Sequence, residues 1–168
     1  MKKKDVERAF REMPHFEDYV DVIGGCLKYA KQFLKKEGLP PDMSEDEALI
    51  ELAIDVIQFC ESEEEEDRDL TVAAVWYMIA ISAGYESAWG SLGVCFLNDN
   101  RGDEAVFALR QACMRGGVVE WLTFADLLAE GDMEAGIAPD EEEAYMWYKR
   151  AAENGSEDAR AEIKTRYK

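Results

Sequence analysis

The sequence predicts an all-α fold: an α/α superhelix, a right-handed solenoid of about three helix-pair repeats with N- and C-terminal capping helices. Three observations predict it. Apolar residues recur at three-and-four spacing through most of the chain, sustained period-two alternation is absent, and a two-helix pattern repeats in register from residue 48 onward. Length and composition agree. A chain of 168 residues that is 48% hydrophobic suits one folded unit with its own core.

Residues 1–41 match nothing in the repeat and are predicted to form an N-terminal helical cap, because the end unit of a stacked array must shield an open apolar face. Within them Tyr19, Val22, Ile23, Cys26, Leu27, Ala30, Phe33 and Leu34 form one stripe, closed by Gly38 and Pro40-Pro41. That is a long amphipathic helix with a stop signal. The Gly24-Gly25 pair inside it predicts a close helix contact or a kink. Next, Ser44-Glu45-Asp46-Glu47 reads as a capping box, in which the Ser44 hydroxyl satisfies an early helix N–H and Glu47 reaches back. It opens a helix carrying Ala48, Leu49, Leu52, Ala53, Val56 and Ile57.

The repeat is clearest when segments are aligned on Gly84, Gly116 and Gly155, which are 32 and 39 residues apart. The first copy reads Asp69, Ala73, Trp76-Tyr77, Ala80, Gly84; the last reads Asp140, Ala144, Trp147-Tyr148, Ala151-Ala152, Gly155. The middle copy keeps Ala105, Ala112 and Gly116. A second motif begins four residues after each glycine: Ala88, Leu92-Gly93 and Phe96, then Glu120, Phe124-Ala125 and Leu128, with Ala48, Leu52-Ala53 and Val56 at the same spacing before the first copy. A last partial copy starts at Ala159 and runs to Ile163. Each unit is therefore a helix A, with a small residue where another backbone approaches, and a helix B ending at a glycine suited to a left-handed C-cap. Asp69 and Asp140 stand where an N-cap opens helix B, and Glu143 is placed to complete a box with Asp140. The Trp-Tyr stripe reads as core.

The motif Ala-x-x-x-Leu-Gly-x-x-aromatic, a loop, then Asp-x-x-x-Ala-x-x-Trp-Tyr-x-x-Ala-Ala-x-x-Gly resembles the Sel-one-like repeat family, relatives of the tetratricopeptide repeats. It is carried by Ala88-Leu92-Gly93-Phe96 and Asp140-Ala144-Trp147-Tyr148-Ala151-Ala152-Gly155. The resemblance covers about two thirds of the chain and implies a right-handed α/α solenoid over residues 42–168, with units at about 48–87, 88–119 and 120–158 and a partial helix at 159–168. It also implies a protein-binding role on the helix-A face. The chain departs from the pattern in several places. Ala53 and Ala125 replace the helix-A glycine, the A-to-B loop runs from eight residues after Phe96 to fifteen after Leu128, and Arg101 stands where the family has Asp, so that Asn100 or Asp103 is expected to cap instead.

With 37 Asp+Glu against 19 Lys+Arg, the net charge is −18. Such a surface repels phosphate, which excludes nucleic acid and anionic membrane as partners for the bulk of the protein and favours a basic one. The excess is local: residues 1–41 sum to +2, 42–69 to −12 and 70–168 to −8. The run Glu63, Glu64, Glu65, Glu66 and Asp67 is expected to be a solvated acidic loop or a docking site for a basic segment. No export signal follows the opening lysines, and no stretch nears the roughly 20 apolar residues of a membrane span, so a cytoplasmic location is expected.

Chemistry is poorly represented. His15 is the single histidine and reads as a surface or capping residue; Asp99 and Asp103 with Asn98 and Asn100 lack the closing Glu of a calcium loop. Cys26, Cys60, Cys95 and Cys113 are widely spaced and read as buried free thiols, with a disulfide or metal site as the alternative. No Gly-rich phosphate loop or HExxH occurs. No catalytic residue, cofactor or metal ligand is therefore predicted, and the chain reads as a non-enzymatic module binding a protein or peptide. The position after the first helix-A residue is Leu49, Trp89 and Trp121 in the three units, and tryptophan is enriched at binding hot spots. Trp89 and Trp121 are thus candidate partner contacts, with packing under an adjacent helix as the alternative, and Glu51, Asp55, Ser91, Thr123 and Asp126 flank them. The other function classes are an inhibitor or immunity-type acidic protein, and a hydrolase of the kind attributed to secreted relatives.

Overall fold

The computed structural model describes residues 1–61 and 69–167, and among these the chain is all-helical. The helices are α1 (Lys3–Phe10), α2 (Val20–Glu37), α3 (Glu45–Cys60), α4 (Leu70–Ser82), α5 (Trp89–Asn98), α6 (Gly102–Arg115), α7 (Val118–Glu130), α8 (Glu141–Glu153) and α9 (Glu157–Arg166), with short 3-10 turns at Phe16–Tyr19 and Glu86–Ala88. Among the described residues an isolated Asp132–Ile137 bridge is the single β-type pairing, and no helix is long and apolar enough to cross a membrane. The acidic run 63–67 lies outside the described residues.

Helices α3 with α4, α5 with α6, and α7 with α8 pack as pairs, an α/α repeat arrangement. Their boundaries follow local chemistry. Glu47 N donates to Ser44 Oγ (3.2 Å) while Ser44 N donates to Glu47 Oε2 (2.8 Å), the reciprocal capping box that opens α3. Asp69 accepts from Val72 N (3.0 Å) and Asp140 from Glu143 N (2.9 Å), opening the two well-matched B helices. Ser156 opens α9 in the same way, accepting from Ala159 N.

Four local expectations are corrected. Glu143 does not reach back to Asp140; its carboxylate is taken by Arg110 on α6, across two bonds of 2.8 and 2.6 Å. At α6 neither Asn100 nor Asp103 caps. Gly102 N donates instead to Ala135 O (3.0 Å), because the long loop after α7 folds back onto the start of α6 and buries Ala135 and Ile137 there. Gly84 and Gly155 do adopt left-handed φ values of +110° and +101°, but Gly116 has φ −87°. Its reason is steric, since a Cβ would lie 2.8 Å from Glu120 Cγ and 3.0 Å from Ala112 O. Finally, Gly24-Gly25 makes no close helix contact: a Cβ on Gly24 would meet only Lys3 Nζ, at 3.9 Å, and one on Gly25 would meet nothing within 4 Å.

Helix α4 is apolar on every side, and a helix of that kind is stable only when covered all round. Helix α3 covers one side and α5 another, while α1 and α2 lie across the rest. Val6 and Phe10 of α1, and Tyr19 with Ile23, Cys26 and Ala30 of α2, are buried in the same cluster as Trp76, Ile79 and Leu92. A second cluster gathers α7, α8 and α9 around Phe124, Trp147 and Tyr148. Helix α6 is shared: Ala105 and Ala108 belong to the first cluster and Cys113 to the second.

Candidate functional site

At the junction of the two clusters apolar side chains line an open groove. Only Gly116 and Gly117 separate α6 from α7, so α7 turns back sharply and leaves a gap between itself and α5. A groove of about 350 Å³ fills that gap. Val94 and Leu97 of α5 form one wall, and Val119, Thr123, Phe124 and Leu127 of α7 the other, over a floor of Leu109, Ala112 and Cys113 from α6. Both walls are A helices of adjacent units. Val94 on one wall is 51% exposed and Val119 on the other 73%.

The groove continues on the far side of α5. There a second cleft, about 510 Å³, is lined by Leu70 and Tyr77 of α4, Ser91, Val94 and Asn98 of α5, and Glu61. Gly90 and Val94 belong to both, and Gly90 has no side chain to divide them. Tyr77 donates its hydroxyl to Glu61 Oε2 (3.1 Å); burial first, and then Glu61, pushes its ionisation well above the usual tyrosine range. Toward the start of α5 a third cleft adds Glu86 and Arg115, sharing Gly90, Ala112 and Glu120 with the apolar groove. Arg115 is held by Glu86 at 3.3 Å. Glu120 accepts from Gly117 N (2.8 Å), and that backbone bond holds its carboxyl below the usual range, keeping it charged. The continuous surface therefore has an apolar centre with Glu120 beside it, and at its margins Glu61, bonded by Tyr77, and Glu86, paired with Arg115.

Of the residues singled out in the sequence, Ser91 and Thr123 line this surface. The two tryptophans do not, and their reading as exposed partner contacts is corrected. Trp89 is 4% exposed, with Phe10 of α1 at 4.9 Å, Phe107 at 6.1 Å and the Arg115 guanidinium over its ring at 5.4 Å. Trp121 is 8% exposed; its Nε1 donates to Cys113 O (2.8 Å) and Arg150 stacks on it at 4.5 Å. Leu49 is buried as well. This repeat position points away from the open face and wedges helix A against its neighbours. Asp126 is also structural, accepting from the Tyr148 hydroxyl (2.7 Å) to tie α7 to α8. Glu51 and Asp55 line a separate small cleft between α2 and α3, beside Phe33 and Met43. Glu63, Glu64, Glu65, Glu66 and Asp67 lie outside the described residues.

The residues that sequence reasoning missed are Val94, Val119, Leu109 and Leu127. One signal was present: Val94 occupies the register of Asp126, an apolar residue where the next unit carries a carboxylate.

Titratable groups elsewhere serve the fold. Buried Glu104 accepts from Arg101 Nη1 (3.3 Å) and the Tyr19 hydroxyl (3.5 Å), latching the 3-10 turn before α2 onto α6. His15 is exposed, in a left-handed conformation, with Nε2 3.9 Å from Asp103. All four cysteines are buried and none is in a disulfide, and burial pushes the thiols of Cys26 and Cys113 up to about 11 and about 12. These remain protonated at neutral pH and are poor nucleophiles. Among the described residues no group of three or more His, Cys, Asp or Glu is placed to hold a metal ion. No family model, curated protein or solved structure matches the chain.

Proposed function

We propose that this chain is a Sel-one-like repeat solenoid acting as a non-enzymatic interaction module, and that it seats a protein segment in the groove between α5 and α7. The observation that carries this reading is the apolar floor and walls of that groove, left open on the A-helix face with Val94 and Val119 exposed. Burying such side chains stabilises a complex by about 25 cal/mol per Å² of apolar surface removed from water, before the costs of association. The segment has an apolar stretch for the groove and basic flanks for Glu61, Glu86 and Glu120. With −18 on the chain, long-range attraction speeds association and makes affinity fall as salt rises.

The test is a pull-down from native lysate with the wild type, Val94→Asp and Val119→Asp, repeated over a salt series. The aspartates place a charge on exposed positions and leave the core intact. Partners held by the wild type are expected to be lost from both variants. Partners retained by both variants would discard this face, and capture indifferent to salt would discard the basic flanks.

A further inference from the structure

A second groove has the opposite charge. It lies between α1, α2 and α3, about 620 Å³ in volume, with Leu27, Leu34 and Leu49 along its floor and Lys2, Lys3, Lys28 and Lys31 around it. Glu45 is the one carboxylate among its lining residues. Gly24 forms part of the wall, and Lys3 Nζ would stand 3.9 Å from a Cβ there, so the lysine reaches over bare α2 backbone. Lys28 and Lys31 are three residues apart and share one helix face.

The cations of this chain are used in two ways. The arginines of the repeat body are committed: Arg101 to Asp99 and Glu104, Arg110 to Glu143, and Arg166 to Glu130 and Glu162. Among the described residues none of the four groove lysines is in an ion pair, although the protein carries 37 acidic side chains. They surround a floor on which Leu27 and Leu34 are partly exposed and Leu49 is buried.

From this juxtaposition we propose that the α1–α2–α3 groove binds an acidic amphipathic segment of another protein, its leucine-like side chains on the partly exposed Leu27 and Leu34 and its carboxylates on Lys2, Lys3, Lys28 and Lys31. The pairing of leucines with lysines selects among anions. A free phosphate would leave the leucines bare. An anionic membrane is a broad surface and would also face the acidic remainder of the molecule. A narrow segment lying in the groove meets first its own lining, where four lysines outnumber Glu45, while charges farther off are screened over about 8 Å at physiological salt. A second copy of this chain would bring its own −18. The site is separate from the α5–α7 groove and of opposite preference, so the chain would join an acidic segment to a basic one.

The test uses a fluorescein-labelled peptide of alternating glutamate and leucine pairs, titrated with the full chain and followed by anisotropy. Wild type is expected to bind it, with affinity falling as salt rises. Lys28→Glu/Lys31→Glu should weaken binding about tenfold or more, and Lys28→Ala/Lys31→Ala by less. Both pairs are exposed on α2, and far-UV circular dichroism checks that the helices are kept. A peptide with serine in place of leucine should bind weakly. Equal binding by wild type and the charge-reversed variant would overturn the proposal, as would equal binding of the serine peptide. Binding abolished by Val94→Asp but not by the lysine changes would place the peptide in the other groove. Co-sedimentation with anionic vesicles without peptide binding would make the ligand a lipid surface. Dimers in sedimentation velocity that the lysine changes dissolve would make it a second copy. Each of these last three also overturns it.

Discussion

Replacing Gly93 by alanine probes a close approach between α5 and α6. Gly93 is buried on α5 where it packs against α6, and a Cβ there would stand 2.5 Å from Leu109 Cγ, 2.6 Å from its Cδ2 and 3.3 Å from its backbone N. Carbon atoms prefer about 3.5–4.0 Å, so either Leu109 changes rotamer or the two helices separate. Overpacking of this kind costs about 1–3 kcal/mol, and the better helix propensity of alanine offsets about 1 kcal/mol of it. A net loss near 1 kcal/mol is predicted, lowering the Tm by about 2–4 °C for a chain of this size. The cause is isolated by a double-mutant cycle with Leu109→Ala, read by urea denaturation and circular dichroism. With the leucine branch gone, Gly93→Ala should become stabilising by up to about 1 kcal/mol, a coupling of about 2 kcal/mol. The same penalty in both backgrounds would refute the steric argument. The sister units are informative: at the register of Gly93 they carry Ala53 and Ala125, and at that of Leu109 they carry Tyr77 and Tyr148, planar rings instead of a branched side chain.

Two further outcomes are expected. Gly25→Ala, exposed in the middle of α2 with nothing within 4 Å of the new Cβ, should stabilise the protein by about 0.5–1 kcal/mol in thermal melts; a loss would mean that α2 needs the glycine for a contact or a bend. Glu143→Gln removes the charge that receives both Arg110 bonds. Those bonds hold the Glu143 carboxyl below the usual range, so its contribution is present above the unfolded value near about 4.3 and fades as pH falls through the lower folded value. With Arg110 partly exposed, the loss at pH 7 should be about 1 kcal/mol, and the urea midpoints of wild type and variant should converge in acid; a gap that stays constant with pH would contradict the assignment.

Much of the fold was legible because its signals are local. The Ser44 box, the Asp69 and Asp140 caps and the Gly38 stop depend on residues within one turn of each other, and the structure realises them directly. The candidate surface was less legible. Ser91 and Thr123 were placed on it, but Trp89 and Trp121 were chosen by residue type, and the register of a helix does not say which neighbour will cover a given face. Glu143 shows the same limit. Its spacing from Asp140 suited a box, yet Arg110, 33 residues away, competes with a charged, two-pronged partner and wins.

The sequence by itself determined an all-helical repeat with its small and aromatic positions in register, its buried thiols and an uneven charge, since periodicity, capping and composition act within a few residues. Tertiary structure alone decided what lies open. The two-residue turn at Gly116-Gly117 sets α7 apart from α5, so Val94 and Val119 face solvent while the tryptophans become wedges. It also folded α1 against α2 and α3, so that lysines distant in the chain surround one apolar groove in an acidic protein. Exposure depends on how whole helices stack, and stacking is settled by contacts between residues that the chain keeps far apart.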